Sequence, residues 1–306
     1  MGSSLATRAD TPCVLARTPR STPCTAGPAD PSVHVPAPPG TLAADVRMSL
    51  LEMLAVAAAG LAAGAINAVV GSGTLVTFPV LLAVGLPPVT ATISNSLGLV
   101  PGNLAGSLGY RRELAGQRWL LLRLLPASVL GALTGAFLLL HLPASSFEAI
   151  VPVLVGLAVV LVAVQPLVSR ALARRRSVDE PPSGIGPGRL AALFAGAYAT
   201  GSYGGYFAAS QGVLQIGVFG LLLRESLQRL NAIKNVLTLA VNGVAAGAYV
   251  VVATDRVDWR AAGLVAAGSL LGGYVGARFG RRLPPAVLRG AIIALGCVAI
   301  AVLLTR

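Results

Sequence analysis

From residue 50 onward the chain is a series of long apolar runs parted by short polar breaks. The runs fall at 50–70, 72–86, 88–109, 118–140, 147–168, 189–209, 211–223, 228–253, 260–280 and 286–305. A helix needs about 20 residues to cross a bilayer. Most of the runs reach that length, but 72–86 and 211–223 do not. The pattern predicts half-helices or re-entrant pieces at those two places, packed inside the protein where irregular backbone finds partners. The expected fold is an all-α polytopic membrane protein, with about 8–10 transmembrane or half-membrane helices.

Arginines are spread unevenly over the breaks. Arg111, Arg112 and Arg118 share one loop; Arg170, Arg174, Arg175, Arg176 and Arg189 share another. Arg278, Arg281, Arg282 and Arg289 mark a third, and Arg224 follows the run 211–223. The segment 141–147 has no Lys or Arg, and in 254–259 Arg256 is offset by Asp255 and Asp258, so the loop carries no positive excess. Placing the Arg-rich loops in the cytoplasm gives a consistent path with both ends of the membrane part outside. Five runs per half is an odd number, so the second half enters from the opposite face.

That parity predicts an inverted repeat, and local similarity supports it. "ATISNSL" (91–97) parallels "NAIKNVL" (231–237), with Ile93, Asn95 and Leu97 matching Ile233, Asn235 and Leu237. Upstream, "GLAAGAINAVVGSG" (60–73) parallels "LFAGAYATGSYGG" (193–205). Each half runs helix, Gly-rich break, short segment, Asn-bearing helix, then two more helices. The expected organisation is a first membrane repeat over 48–169, a cytoplasmic Arg-rich linker over 170–188 and a second membrane repeat over 189–306. Residues 1–47 hold eight Pro and no long apolar run. They read as a disordered tail, and Met48 reads as a natural start, so the tail is expected to be a mis-called start or a dispensable extension.

Composition narrows the function. Of 306 residues, 55% are hydrophobic and 11% charged, against about 25% charged in a soluble domain. The formal net charge is +12, but the basic residues bracket apolar runs as topology signals do, so a nucleic-acid partner is excluded. Cys13, Cys24 and Cys297, with His34 and His141, form no metal-ligand spacing, so no metal or cofactor is expected. No nucleophile elbow and no P-loop occurs, so neither a catalytic residue nor ATP hydrolysis is expected. Gly-interrupted segments at matching places in two halves point to a secondary transporter with its site near the midplane.

The candidate site residues are polar groups inside apolar runs. None of the eleven acids lies at a bilayer centre, which disfavours a cation carrier. Lys234 is the one Lys among 23 basic residues and lies ten residues past Arg224, about 15 Å along a continuous helix. It is either an anion ligand or a side chain snorkelling to the inner interface. Asn95 and Asn235, with Ser94, are either oxyanion donors or glue between helices. Gly71, Ser72 and Gly73, with Gly204 and Gly205, are either mid-membrane turns that aim half-helix N-termini at an anion or close-packing positions. Tyr203 either adds a hydroxyl donor beside Gly204 and Gly205 or is an ordinary packing residue.

These residues carry a family resemblance. The "AGAINAVVGSG" segment, Pro79, the "GLPP" turn (85–88) and the "ATISNSLG" helix resemble the first repeat of the TauE/SafE family, the sulfite exporter or four-helix sulfur-compound permease family. "YGGYFAASQGVLQIGVFGL" (203–221) and "NAIKNVLTLAVNGVAA" (231–246) are similar to its second repeat. The resemblance covers residues 50–306. Its first break, "GSG", is shorter than the family's usual Gly run. It implies a multi-pass permease of the bacterial inner membrane that moves sulfite, a sulfonate or a related organosulfur anion by alternating access. The bilayer and a small anionic solute are the implied partners, with a coupling ion and the oligomeric state left open. Two alternatives stand: a permease for another small anion such as a carboxylate, and a non-transporting assembly subunit or membrane-embedded enzyme.

Overall fold

The computed structural model describes residues 48–176, 185–223 and 225–279, with isolated positions (290, 293, 294, 296, 297 and 300) of the last run. The predicted tail, the middle of the linker and most of the tenth run lie outside the described residues. Among the described residues the chain is helical, with no strand.

The helices are α1 (Leu50–Val69), α2 (Thr74–Ala83), α3 (Pro88–Gly109), α4 (Arg118–His141), α5 (Ala144–Arg176), α6 (Pro187–Tyr206), α7 (Gln211–Leu222), α8 (Leu227–Val252) and α9 (Trp259–Phe279). They match the predicted runs closely. The main departure is α5, which continues from its predicted end near 168 to Arg176 and so takes in the start of the expected linker. Local chemistry sets several boundaries. Ser49 opens α1 with a capping box, its hydroxyl accepting from the Glu52 N–H while Glu52 accepts from the Ser49 N–H. Pro88 stands at the first position of α3, where its missing N–H costs nothing. Ser226 caps α8 by accepting from the Arg229 N–H.

Among the described residues four helices are long and apolar enough to cross a membrane by length and composition: α1, α4, α5 as far as Ala171, and α8. The helices α3, α6 and α9 have 22, 20 and 21 residues, enough to span, but they are richer in Gly and Ser because they face other helices. With 10 and 12 residues, α2 and α7 rise about 15–18 Å, half a bilayer core. The outer faces are greasy: Leu122, Val153 and Val251 are 71%, 70% and 84% exposed. Exposure on that scale suits lipid rather than water. The chain is a multi-pass membrane protein.

Two bundles share the described helices. In one, α1 and α3 pack on α9; in the other, α6 and α8 pack on α4. The packing repeats at residue level. Gly272 of α9 lies on Leu61 and Ala65 of α1, as Gly131 of α4 lies on Tyr198 and Ser202 of α6. Gly64 meets Ser269, as Gly201 meets Ser128. These pairs interchange when α1 is swapped for α6 and α9 for α4. Each bundle therefore takes helices from both halves of the chain: α4 joins the second and α9 the first. Helices that follow one another in sequence are thus shared out between the two bundles. The bundles meet along α3 and α8.

Candidate functional site

Each bundle carries one broken helix. The first break, 70–73, separates α1 from α2 and turns on Gly71 at φ 88°, in the left-handed region. The second, 207–210, separates α6 from α7 and turns on Ala208 (φ 62°) and Ser210 (φ 59°), neither of them glycine.

This corrects the expected place of the second turn. Gly204 and Gly205 do not open it; both are helical, inside α6. Gly205 lies on the Ala132 backbone, which lets α6 approach α4, and its carbonyl accepts the Tyr249 hydroxyl. Gly204 lies against the side-chain amide of Gln211, where a Cβ would collide. Tyr203 donates its hydroxyl to the Ala209 carbonyl at 2.6 Å, bracing the break from the helix before it.

The two breaks touch. The Gly212 N–H donates to the Gly71 carbonyl at 3.1 Å. Each of these glycines leaves its partner's Cα only 2.6 Å from where a Cβ would stand. The alkyl stem of Lys234 passes between them, with Cδ 3.2 Å and 2.7 Å from the same two positions. Lys234 is fully buried, so it does not snorkel. Its Nζ donates to the Asn67 carbonyl on the last turn of α1 at 2.7 Å. The adjacent Ala68 carbonyl accepts from Nδ2 of Asn231 and of Asn235, at 3.0 Å and 3.2 Å. The end of α1 carries partial negative charge, and α8 supplies the donors that meet it. No carboxylate among the described residues pairs with Lys234.

The structure thus brings Lys234, Asn235, Gly71, Ser72 and Gly73 to one junction. Ser72 is buried there with its hydroxyl unpaired, and the Gly73 N–H donates to Oδ1 of Asn67 at 3.4 Å. Asn67 in turn donates to Asn103 of α3. Asn95 lies one step back and has both amide atoms engaged. Its Oδ1 accepts from Thr77, and its Nδ2 donates to Thr74 at 3.2 Å, tying α3 to α2. Ser94 is apart from the junction; it accepts the Asp258 N–H at 2.9 Å, just before α9. Among the described residues no group of three His, Cys, Asp or Glu is placed to hold a metal.

Several junction residues escaped the sequence reading. Gln211 and Gln215 stand one turn apart on α7, both buried. Gln215 accepts from Thr238 at 3.0 Å but its Nε2 has no partner, and neither amide atom of Gln211 has one. On α8, Asn231, Lys234, Asn235, Thr238 and Asn242 stand at i, i+3, i+4, i+7 and i+11 and form one polar stripe in a greasy helix. That periodicity was available in the sequence and would have extended the site along α8 and α7.

Comparison with known proteins agrees with this picture. A family model described as sulfite exporter TauE/SafE matches residues 56–303. The chain is 28% identical over 222 residues to the probable membrane transporter protein YfcA of Escherichia coli (strain K12), covering 72% of this chain and 76% of that protein. It is 32% identical over 111 residues to a probable membrane transporter protein of Haemophilus influenzae, covering 36% of this chain and 43% of the relative. A probable membrane transporter protein, ORF9, of Sinorhizobium is 33% identical over 110 residues, covering 36% of this chain and 41% of the relative. No solved structure matches it.

Proposed function

The chain belongs to the sulfite exporter TauE/SafE family, and from that premise we propose that this membrane permease carries a small sulfur oxyanion or sulfonate through the junction of its two breaks. The observation that carries the reading is Lys234: a fully buried ammonium, where two broken helices meet, without a carboxylate partner among the described residues. A buried charge of that kind is costly unless something compensates it. A carbonyl bond at 2.7 Å compensates it in part, and an arriving anion completes the compensation. Ser72, Gln211 and Gln215 add neutral donors, each with an unpaired buried polar atom. Removing water from around an oxyanion requires such replacements.

Lys234, Ser72, Gln211 and Gln215 are all at most 1% exposed, which supports reading this arrangement as closed to both faces. Alternating access then opens the seam between the bundles. The moving parts are α1–α3–α9 and α4–α6–α8 rather than the two sequence repeats. Inside each bundle, backbones touch at glycines. Across the junction the hydrogen bonds of Lys234, Asn231, Asn235 and Gly212 break and re-form at modest cost, while the contacts of Gly71 with Gly212 and of Phe78 with Phe207 must slide.

The test is flux of labelled sulfite and sulfoacetate into proteoliposomes of the inner-membrane protein, with formate as a carboxylate control. Lys234→Met is expected to abolish uptake in a folded protein. Unchanged uptake removes Lys234 from the mechanism. Uptake of formate alone by the unaltered chain replaces the substrate class.

A further inference from the structure

A secondary permease must tie its cargo to its conformational change. In transporters built from broken helices, carbonyls at a half-helix C-terminus are a usual seat for a coupling Na⁺. Here α1 ends at the first of the two breaks, and donors already occupy successive carbonyls at its end. The Ile66 carbonyl accepts the Val70 and Gly71 N–H groups at 2.7 Å and 3.1 Å. The Asn67 carbonyl takes Lys234 Nζ at 2.7 Å. The Ala68 carbonyl takes two Asn amides, at 3.0 Å and 3.2 Å. One of these donors is the Lys234 side chain, whose protonated form places a positive charge on the negative end of a helix.

We propose that the Lys234 ammonium stands in for a coupling metal cation, so that anion transport needs neither Na⁺ nor K⁺. The inference rests on the junction being the substrate site. Two features of the structure carry it. First, the charge bridges the bundles: its tether is on α8, in one, and its carbonyl partner is on α1, in the other. A bound coupling cation would make the same bridge. Second, the route of the side chain is built for lysine. Gly71 and Gly212 flank the stem at Cδ, and a Cβ at either position would crowd it. A compact ammonium with three donors keeps N–H groups for an anion after donating one to Asn67. A planar guanidinium is wider and fixed in its fork.

The experiment uses the full chain in proteoliposomes, with labelled sulfite as the probe. Uptake is measured in matched NaCl, KCl and N-methyl-D-glucamine chloride media. The expected result is the same initial rate in all three. A fall of about tenfold or more when the metal cation is withdrawn, the size of an ordinary linkage, overturns the proposal. Absence of uptake in every medium is a different outcome: it sinks the permease reading, and this inference with it. A second arm follows thermal unfolding of the purified protein. In Lys234→Met the Asn67 carbonyl loses its donor, so NaCl is expected to raise the melting temperature above that in N-methyl-D-glucamine chloride. The unaltered chain is expected to show no such difference, and a Na⁺-specific rise in it overturns the proposal. If Lys234→Met does not fold, the uptake measurement on the unaltered chain decides alone.

Discussion

The two breaks occupy equivalent places in the packing, yet their chemistry is opposite. With Gly64 matched to Gly201, Asn67 of α1 falls on Gly204 of α6, and Thr74 of α2 falls on Gln211 of α7. In the first half Asn67 and Thr74 both have partners, from Asn103 and Asn95. In the second, Gly204 only leaves room, and the Gln211 amide that fills it has no partner. The first half offers acceptors, the carbonyls of Asn67 and Ala68. The second offers donors, from Lys234, Asn231 and Asn235. Equivalent packing on the two sides thus holds a polarised junction, with acceptors on one side and donors on the other. The largest expected effect comes from filling the space the halves share.

Gly71→Ala adds a Cβ 2.6 Å from the Gly212 backbone and 3.2 Å from the Lys234 stem, at a φ of 88°. Left-handed backbone alone costs a residue with a side chain about 1–2 kcal/mol, and overpacking adds a further 1–3 kcal/mol or so. Thermal unfolding in detergent is expected to show the sum, with uptake lost. Gly85 is the control. Its φ is 94° but nothing lies within 4 Å of its Cβ position, so Gly85→Ala is expected to show only the backbone cost. Equal losses at the two sites would mean that the breaks do not press on each other.

The next contrast separates scaffold from site. Asn95→Leu strips partners from Thr74 and Thr77, both buried. Leaving buried groups unpaired costs about 1–3 kcal/mol each, so the melting temperature falls while anion affinity changes little. Gln211→Met does the reverse. It removes a buried amide with no partner, so stability holds or rises. Losing a hydrogen bond to a charged ligand, about 1.5–3 kcal/mol, weakens binding by roughly 10- to 100-fold. Ligand-induced shifts in melting temperature measure both quantities. If the two variants exchange behaviours, the assignment of the halves is reversed.

The helices were legible because lipid demands long apolar runs, and the described runs and helices agree to within a few residues at most ends. The first break was legible too, since Gly71 must adopt a backbone that only glycine takes freely. The second was misplaced, because Gly is an ambiguous sign in a membrane helix. Gly201 and Gly205 serve the close approach of α6 to Ser128 and Ala132 of α4, and the chain turns later, on Ala208 and Ser210, neither of them the glycine that a positive φ favours. Lys234 stood out by its rarity. Gln211 and Gln215 did not, because a run judged apolar as a whole hides two polar positions one turn apart. The interleaving of α4 and α9 depends on which glycine faces which backbone, and a linear pattern does not record that.

The smallest effect is expected where the second break carries its strain. Ala208 holds a φ of 62° without being glycine. Replacing it by Gly releases about 1–2 kcal/mol of left-handed strain. Two costs oppose the gain. The residue is 7% exposed, so losing its methyl forfeits about 0.8 kcal/mol of burial. The added freedom of the unfolded chain costs about 0.5–1 kcal/mol more. The three nearly cancel, and Ala208→Gly should move the melting temperature little in either direction. The same exchange run backwards at Gly71 has no such cancellation, because there the new methyl meets backbone. A loss at Ala208→Gly as large as that at Gly71→Ala would show that the methyl packs as a necessary contact of the second break, and that the two turns differ in more than backbone preference.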